Sequence, residues 1–192
     1  MIDHDDTAEF ESFEQFKSSA QKPALTINEL RQRITHRAVM YLSRREHAQS
    51  ELKRKLQLAF AEYDWPSNDE FISLEQLIEA ILQYLANNNW QSDQRFATQI
   101  GKIKGERYGT ARVKHALNQQ GLSKEIVDAT VADLAQSELQ RAHAVWQKKF
   151  GEPPKNASEH AKQTRFMAYR GFSFDIIKKV IRGDISDWDD LT

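Results

Sequence analysis

The chain contains no cysteine. That absence excludes disulfides, thiolate zinc sites, iron-sulfur clusters and cysteine nucleophiles, and it fits a cytoplasmic address. Glycine and proline are scarce, seven and four in 192 residues. Turns are therefore few, and the abundance of helix-forming residues predicts an all-α protein. No apolar run approaches the ~20 residues that span a bilayer. The segment Met1 to Phe16 is acidic and lacks the positive start and apolar stretch of a secretory signal, so nothing read here directs the chain out of the cytoplasm. Catalytic constellations are missing as well. His4, His36, His47, His115, His143 and His160 never pair at a metal-binding spacing, and there is neither a Walker A lysine loop nor a G-x-S-x-G elbow. The one glycine-rich stretch, Gly101 to Thr110 ("GKIKGERYGT"), follows no strand and reads as a turn that ends one helix and starts the next. The expectation is a protein that is not an enzyme and needs neither metal nor cofactor.

With 40% hydrophobic and 29% charged residues, the chain has the composition of a soluble globular protein. Thr26-x-x-Glu29, Ser73-x-x-Gln76, Ser137-x-x-Gln140 and Asn156-x-x-Glu159 resemble capping boxes, and Gly121, Gly151, Gly171 and Gly183 each follow a helical pattern. Together these predict helices over 27–45, 48–60, 73–88, 93–105, 110–120, 123–136, 138–150, 156–170 and 173–182. Ser73, Ser123 and Ser173 recur at a fixed interval. From each serine the fourth residue is Leu77, Val127 or Ile177 and the eighth is Ile81, Val131 or Ile181, while Glu75, Glu125 or Asp175 places an acid at the positive end of the helix dipole. One serine-capped helix with one buried seam therefore closes each of three units. The expected organisation is an acidic N-terminal extension (1–26), three tandem three-helix repeats (27–90, 91–137 and 138–183) in an elongated, curved array, and an acidic tail (184–192). The extension carries Phe10, Phe13 and Phe16, and its acidity favours a mobile tail over a docked helix.

The near-neutral net charge of −1 conceals strong segregation. Residues 31–56 hold eight Lys and Arg against only Glu46 and Glu51, whereas residues 57–94 hold seven acids and no Lys or Arg. Separated charge of this kind recruits opposite charge on partners. Arg31, Arg33, Arg37, Arg44, Arg45, Lys53, Arg54 and Lys55 form the basic cluster of the first unit, with Arg44, Arg45, Lys53 and Arg54 as its contact candidates. Lys102, Lys104, Arg107, Arg112 and Lys114 mark that of the second, and Arg165, Arg170, Lys178 and Lys179 that of the third, together with Lys148 and Lys149. Stacked units would align these clusters into a footprint for a nucleic acid or an acidic protein groove. Tyr41, Tyr108, Phe166 and Tyr169 accompany the clusters, and their helical spacing assigns them to the core ahead of base stacking. His47, Leu52, Leu56, Phe96, Val127 and Ile177 are assigned to the fold.

Three stretches, Ala38 to Leu56, Asn87 to Ser123 and Arg165 to Ile181, resemble in order the parts of the bacterial RecX family, regulators of the recombinase RecA. The most specific elements are Leu42-x-x-Arg45-Glu46-His47 leading to Glu51-Leu52-x-x-x-Leu56, then Asp93-x-Arg95-Phe96-Ala97, Arg107-Tyr108-Gly109 and Arg170-Gly171-Phe172. The resemblance implies a monomer of tandem three-helix repeats. It also implies binding in the groove of RecA filaments on single-stranded DNA, blocking filament extension, strand exchange and ATP hydrolysis, with at most weak direct binding to duplex DNA. The basic residues named above become the candidates for RecA and DNA contact. The N-terminal extension and the insertion at 63–70 have no counterpart in the family core. Two other readings remain open at this level: a helix-turn-helix-like DNA-binding protein that does not act on RecA, and a scaffold whose acidic segment 57–94 is the contact surface.

Overall fold

The computed structural model describes residues 26–62 and 72–184. Expectations about the N-terminal extension, the insertion at 63–70 and the tail beyond Asp184 fall outside the described residues. Within them the chain is all α, with helices α1 (Ile27–Leu42), α2 (Gln49–Phe60), α3 (Leu74–Asn87), α4 (Asp93–Gly105), α5 (Thr110–Asn118), α6 (Lys124–Gln136), α7 (Glu138–Lys149), α8 (Ala157–Tyr169) and α9 (Phe174–Arg182).

The local signals explain most of these ends. Thr26 and Ser73 form complete capping boxes with Glu29 and Gln76. Ser123 and Ser173 accept hydrogen bonds from the Ile126 and Ile176 N–H groups, so the serine that begins the third helix of each unit is a true N-cap in all three copies. Ser137 is a correction. Its φ of −107° and ψ of 10° are not those of an extended N-cap, because it simultaneously ends α6 and starts α7. Its hydroxyl donates to the Leu134 carbonyl and accepts from Arg141 Nε. Asn156 caps the Glu159 N–H at 2.9 Å as expected, but Glu159 reaches past it to the Lys155 N–H. Helix α1 stops three residues short of the predicted end: Ser43 Oγ donates to the Met40 carbonyl, and the chain then turns so that His47 and Ala48 can be buried.

The helices pack in three triplets, α1–α2–α3, α4–α5–α6 and α7–α8–α9, with α6 also against α7. Each triplet surrounds its own core. Leu30, Ile34, Leu52, Leu56, Leu77, Ile78 and Leu85 fill the first, Phe96, Ala97, Val113, Leu117 and Val127 the second, and Trp146, Met167, Phe172, Ile177 and Val180 the third. Of the predicted seam positions, Leu77, Ile81, Val127, Ile177 and Ile181 are buried and Val131 is half-buried. Trp146 and Gln163 close the third core with a buried Nε1–H to Oε1 hydrogen bond of 2.7 Å.

The triplets are joined by a repeated device. Neither Ala48 before α2 nor Gly109 before α5 offers a capping side chain. A carboxylate at the first position of the next unit does so instead. Asp93, which opens α4, accepts from the Gln49 N–H at 2.8 Å. Glu138, which opens α7, accepts from the Thr110 N–H at 2.8 Å and its hydroxyl at 2.9 Å. In the third unit Asn156 caps α8 from within. The turn between the second and third helices of each later unit also rests on the middle helix of the unit before. Ser50 Oγ donates to the Gln120 carbonyl, and the Gly109 N–H donates to the Arg170 carbonyl at 3.0 Å. Gly121 and Gly171 adopt φ of +67° and +85° in those two turns, a conformation costly for any residue with a Cβ.

Candidate functional site

The predicted basic residues fall into three physical states. Arg45, Lys53 and Lys114 are paired on the surface: Arg45 with Glu51 at 2.6 Å, Lys53 with Glu75 at 2.8 Å and Glu79 at 2.7 Å, Lys114 with Asp128 at 2.8 Å. Hydrogen bonds to Glu75 and Glu79 raise the Lys53 pKa, and the one from Lys114 lowers that of Asp128. Exposed pairs of this kind are weak and exchange readily for an incoming anion.

The second state is structural. Arg112 Nη1 donates to the Tyr169 carbonyl at 2.9 Å, and its guanidinium lies 4.6 Å from the Tyr108 ring centroid and 5.0 Å from that of Tyr169. Arg170 Nη1 donates to the Arg107 carbonyl at 3.0 Å and stacks 4.7 Å from the Phe166 centroid. Both arginines hold the second unit to the third through carbonyls and aromatic faces. Arg141, not among the predicted contact residues, reinforces them by donating to the Gly105, Tyr108 and Leu134 carbonyls. Tyr41, Tyr108 and Phe166 are half-buried as the core reading required, whereas Tyr169 is 77% exposed and serves as a lid over Arg112.

The third state comprises cations that make no salt bridge among the described residues. Arg107 belongs here, and it meets Arg170, Lys148 and Lys149 in a groove of about 570 Å³. Ala144, Val145 and Phe166 form its apolar wall, and Glu106 is the one acid lining it. The α4–α5 turn supplies Arg107, α7 supplies the two lysines and the end of α8 supplies Arg170, so the groove exists only when the second and third units are docked. Lys148 and Lys149 lie in the last turn of α7, where cations also complement the helix dipole. Four cations beside an apolar wall suit an extended anionic chain: phosphates or carboxylates meet the charges while a base or side chain lies on the wall. Arg54, Lys102, Arg165, Lys178 and Lys179 are exposed and Lys104 half-buried, and none of the six lines a groove described here.

A second groove, of about 750 Å³, runs along α1. Glu29, Arg33, His36, Arg37, Met40, Tyr41 and Arg44 line it, and Phe60 at the end of α2 closes one side. Only Arg44 of this set was among the predicted contacts. The signal for the others was present in the sequence: Arg33, Arg37 and Met40 recur at i, i+4 and i+7 on one stripe of α1, flanking the buried Leu30, Ile34 and Ala38, and Arg44 follows in the turn after the helix. The Thr26 backbone and hydroxyl donate to Glu29 and lower its pKa, so the one acid of the groove is held by the helix cap.

Near these surfaces the buried polar groups belong to the fold. His47 is 2% exposed, and burial is the main cause of its lowered pKa, against the raising influence of Glu51. Its Nδ1 stands 3.1 Å from Glu51 Oε2 without the alignment of a hydrogen bond. Burial would raise the Glu51 pKa, yet hydrogen bonds from Arg45 and Lys55 and the proximity of His47 hold it at about 2. Among the described residues no group of His, Asp or Glu is arranged to hold a metal ion, and no helix is long and apolar enough to cross a membrane.

Comparison with known proteins places this geometry in context. A model of the third three-helix domain of RecX matches residues 136–181. The regulatory protein RecX of Ralstonia nicotianae is 43% identical over 147 residues, covering 77% of this chain and 85% of that protein. Its counterpart from Chromobacterium violaceum is 39% identical over 151 residues, covering 79% and 90%. The crystal structure of RecX from Lactobacillus salivarius shares the fold, with a TM-score of 0.63 at 16% identity over 80% of this chain and 95% of that one.

Proposed function

The chain belongs to the RecX family of regulatory proteins, which are not enzymes, and from that premise we propose that it binds RecA filaments on single-stranded DNA. It lies in the filament groove and inhibits filament extension, strand exchange and ATP hydrolysis. The observation that carries this reading is the basic groove shared by the second and third units, where Arg107, Lys148, Lys149 and Arg170 converge beside Phe166. A groove that spans two units, on a chain of units, supports contact with a repeating partner at several points, and weak contacts made together add through effective concentration. Arg107, Lys148 and Lys149 supply the charge; Arg112 and Arg170 preserve the geometry that brings those charges together.

The test is RecA-catalysed ATP hydrolysis on single-stranded DNA, titrated with this protein at moderate salt. The expected result is inhibition at well below one copy per RecA. K148E/K149E weakens it at least tenfold, whereas the unfolding midpoint in urea falls only slightly, by the ~1 kcal/mol that exposed charge reversal at a helix C-terminus costs. No inhibition by the parent chain, accompanied by tight binding to duplex DNA, would overturn the reading in favour of a direct DNA-binding protein.

A further inference from the structure

The α1 groove is a basic, partly apolar trough beginning where the described chain begins. Arg33, Arg37 and Arg44 line it and make no salt bridge among the described residues, and Met40, 43% exposed, lies on its floor. The 25 residues preceding Thr26 have the complementary chemistry: Asp3, Asp5, Asp6, Glu9, Glu11 and Glu14 against Lys17 and Lys22, with Phe10, Phe13 and Phe16 spaced for one helical face. Against the mobile tail expected from its acidity alone, we propose that this N-terminal extension docks in the α1 groove of its own chain and shields Arg33, Arg37 and Arg44 from external polyanions.

Length permits it. The groove from Glu29 to Arg44 is about 22 Å long at the helical rise, and the nine residues from Lys17 to Leu25 reach about 30 Å when extended. Phe16 can therefore return to any point of the trough, with the phenylalanines against Met40 and Tyr41 and the acids opposite the arginines. The insertion after α2 is also acidic and aromatic, but it must join Glu62 to Ile72 in nine residues, which limits its reach to the α1 groove. Linkage to α1 makes docking intramolecular, so modest attraction suffices to fill the groove. The proposal does not rest on RecA, and its test contains none, so either can fail alone.

Because the chain has no cysteine, a single Ser12→Cys substitution in the full-length protein carries one nitroxide label. The expected result is paramagnetic broadening of the His36, Arg37 and Met40 amide signals. It disappears in F10S/F13S/F16S and in R33E/R37E/R44E, and weakens in 0.5 M salt as screening shortens the reach of the charges. Circular dichroism checks that both variants stay helical. Neutralising the acids with D3N/D5N/D6N/E9Q/E11Q/E14Q raises the affinity for a thirty-nucleotide oligothymidylate at least threefold at low salt. Four outcomes overturn the proposal: no broadening at α1; broadening from a Ser67→Cys label in its place; broadening only between labelled and unlabelled molecules, which assigns the groove to a second copy; or unchanged oligonucleotide affinity once the acids are gone.

Discussion

Gly109 shows how a single residue can decide whether two units meet. Its φ of −71° is ordinary, so the requirement is one of space: a Cβ there would stand 2.1 Å from the Gly171 carbonyl oxygen and 2.5 Å from the Phe172 nitrogen. Backbone cannot yield as a flexible side chain does. Gly109→Ala should cost about 3 kcal/mol in urea unfolding, the upper end for overpacking. Gly105→Ala is the control. Its Cβ would meet the side-chain atoms Leu134 Cδ2 at 3.1 Å and Arg141 Nη1 at 3.3 Å; Leu134 can shift but Arg141 is held by three carbonyls, so the loss should be about 1 kcal/mol, clearly smaller than at Gly109. The same scale carries a pH dependence. Glu51 is at about 2 in the fold against an ordinary 4.5, so its contribution is present above pH 4.5 and is lost as pH falls toward 2. The His47 pKa is lowered from 6.5, so the unfolded chain takes up that proton first and stability falls as pH drops below 6.5. The two act with one sign. Urea midpoints should decline from pH 7.5 to 5.5 and again to 3.5. His47→Gln flattens the first step and Glu51→Gln the second, the latter at a cost of about 1–3 kcal/mol at neutral pH.

At the scale of the element, the three middle helices distinguish two ways of closing an N-terminus. Helix α8 is capped by its own Asn156, whereas α2 and α5 borrow Asp93 and Glu138 from the unit that follows. Borrowing converts a local cap into a tertiary bond. Asp93→Ala and Glu138→Ala should each cost about 1–2 kcal/mol, comparable to losing an N-cap. Ala48→Ser, supplying a cap from within, should recover part of the Asp93→Ala loss when stability is measured by urea unfolding. The absence of a capping residue before α2 and α5 is visible in the sequence. Its remedy is not, because Asp93 is 44 residues from Gln49 and Glu138 is 28 from Thr110. Ser137 misled for the converse reason: the S-x-x-Q pattern fits a capping box, but abutting helices leave no extended residue to carry one.

Across the whole molecule, three separate cores are coupled mainly through chain-end bonds, the α6–α7 contact and the junction arginines. Arrays of this kind unfold as one body only while nearest-neighbour coupling exceeds the stability difference between units. Glu138→Ala combined with Arg141→Ala removes the capping carboxylate and three carbonyl bonds at the second junction. Hydrogen exchange should then show α7–α9 opening independently of α4–α6, whereas in the parent the two should exchange with similar protection. The shared groove of Arg107, Lys148, Lys149 and Arg170 would be lost with that coupling, so the proposed function predicts weaker inhibition of RecA-catalysed ATP hydrolysis by the same variant.

Helix positions, the serine-capped third helix of each unit and its buried seam were fixed by residues within a few positions of one another: caps, apolar periodicity and terminal glycines are local chemistry, and short-range chemistry survives in one dimension. Family membership was legible for the same reason, in compact motifs such as Arg107-Tyr108-Gly109 and Arg170-Gly171-Phe172. The division of the cations was decided by tertiary structure alone. Arg107, Arg112 and Arg170 look alike in sequence, yet Arg112 is held by a carbonyl 57 residues away and Arg170 by one 63 residues away, whereas Arg107 makes no salt bridge among the described residues. A carbonyl oxygen is present at every residue and carries no side-chain signature, so only the packing of one unit on the next determines which guanidinium it receives.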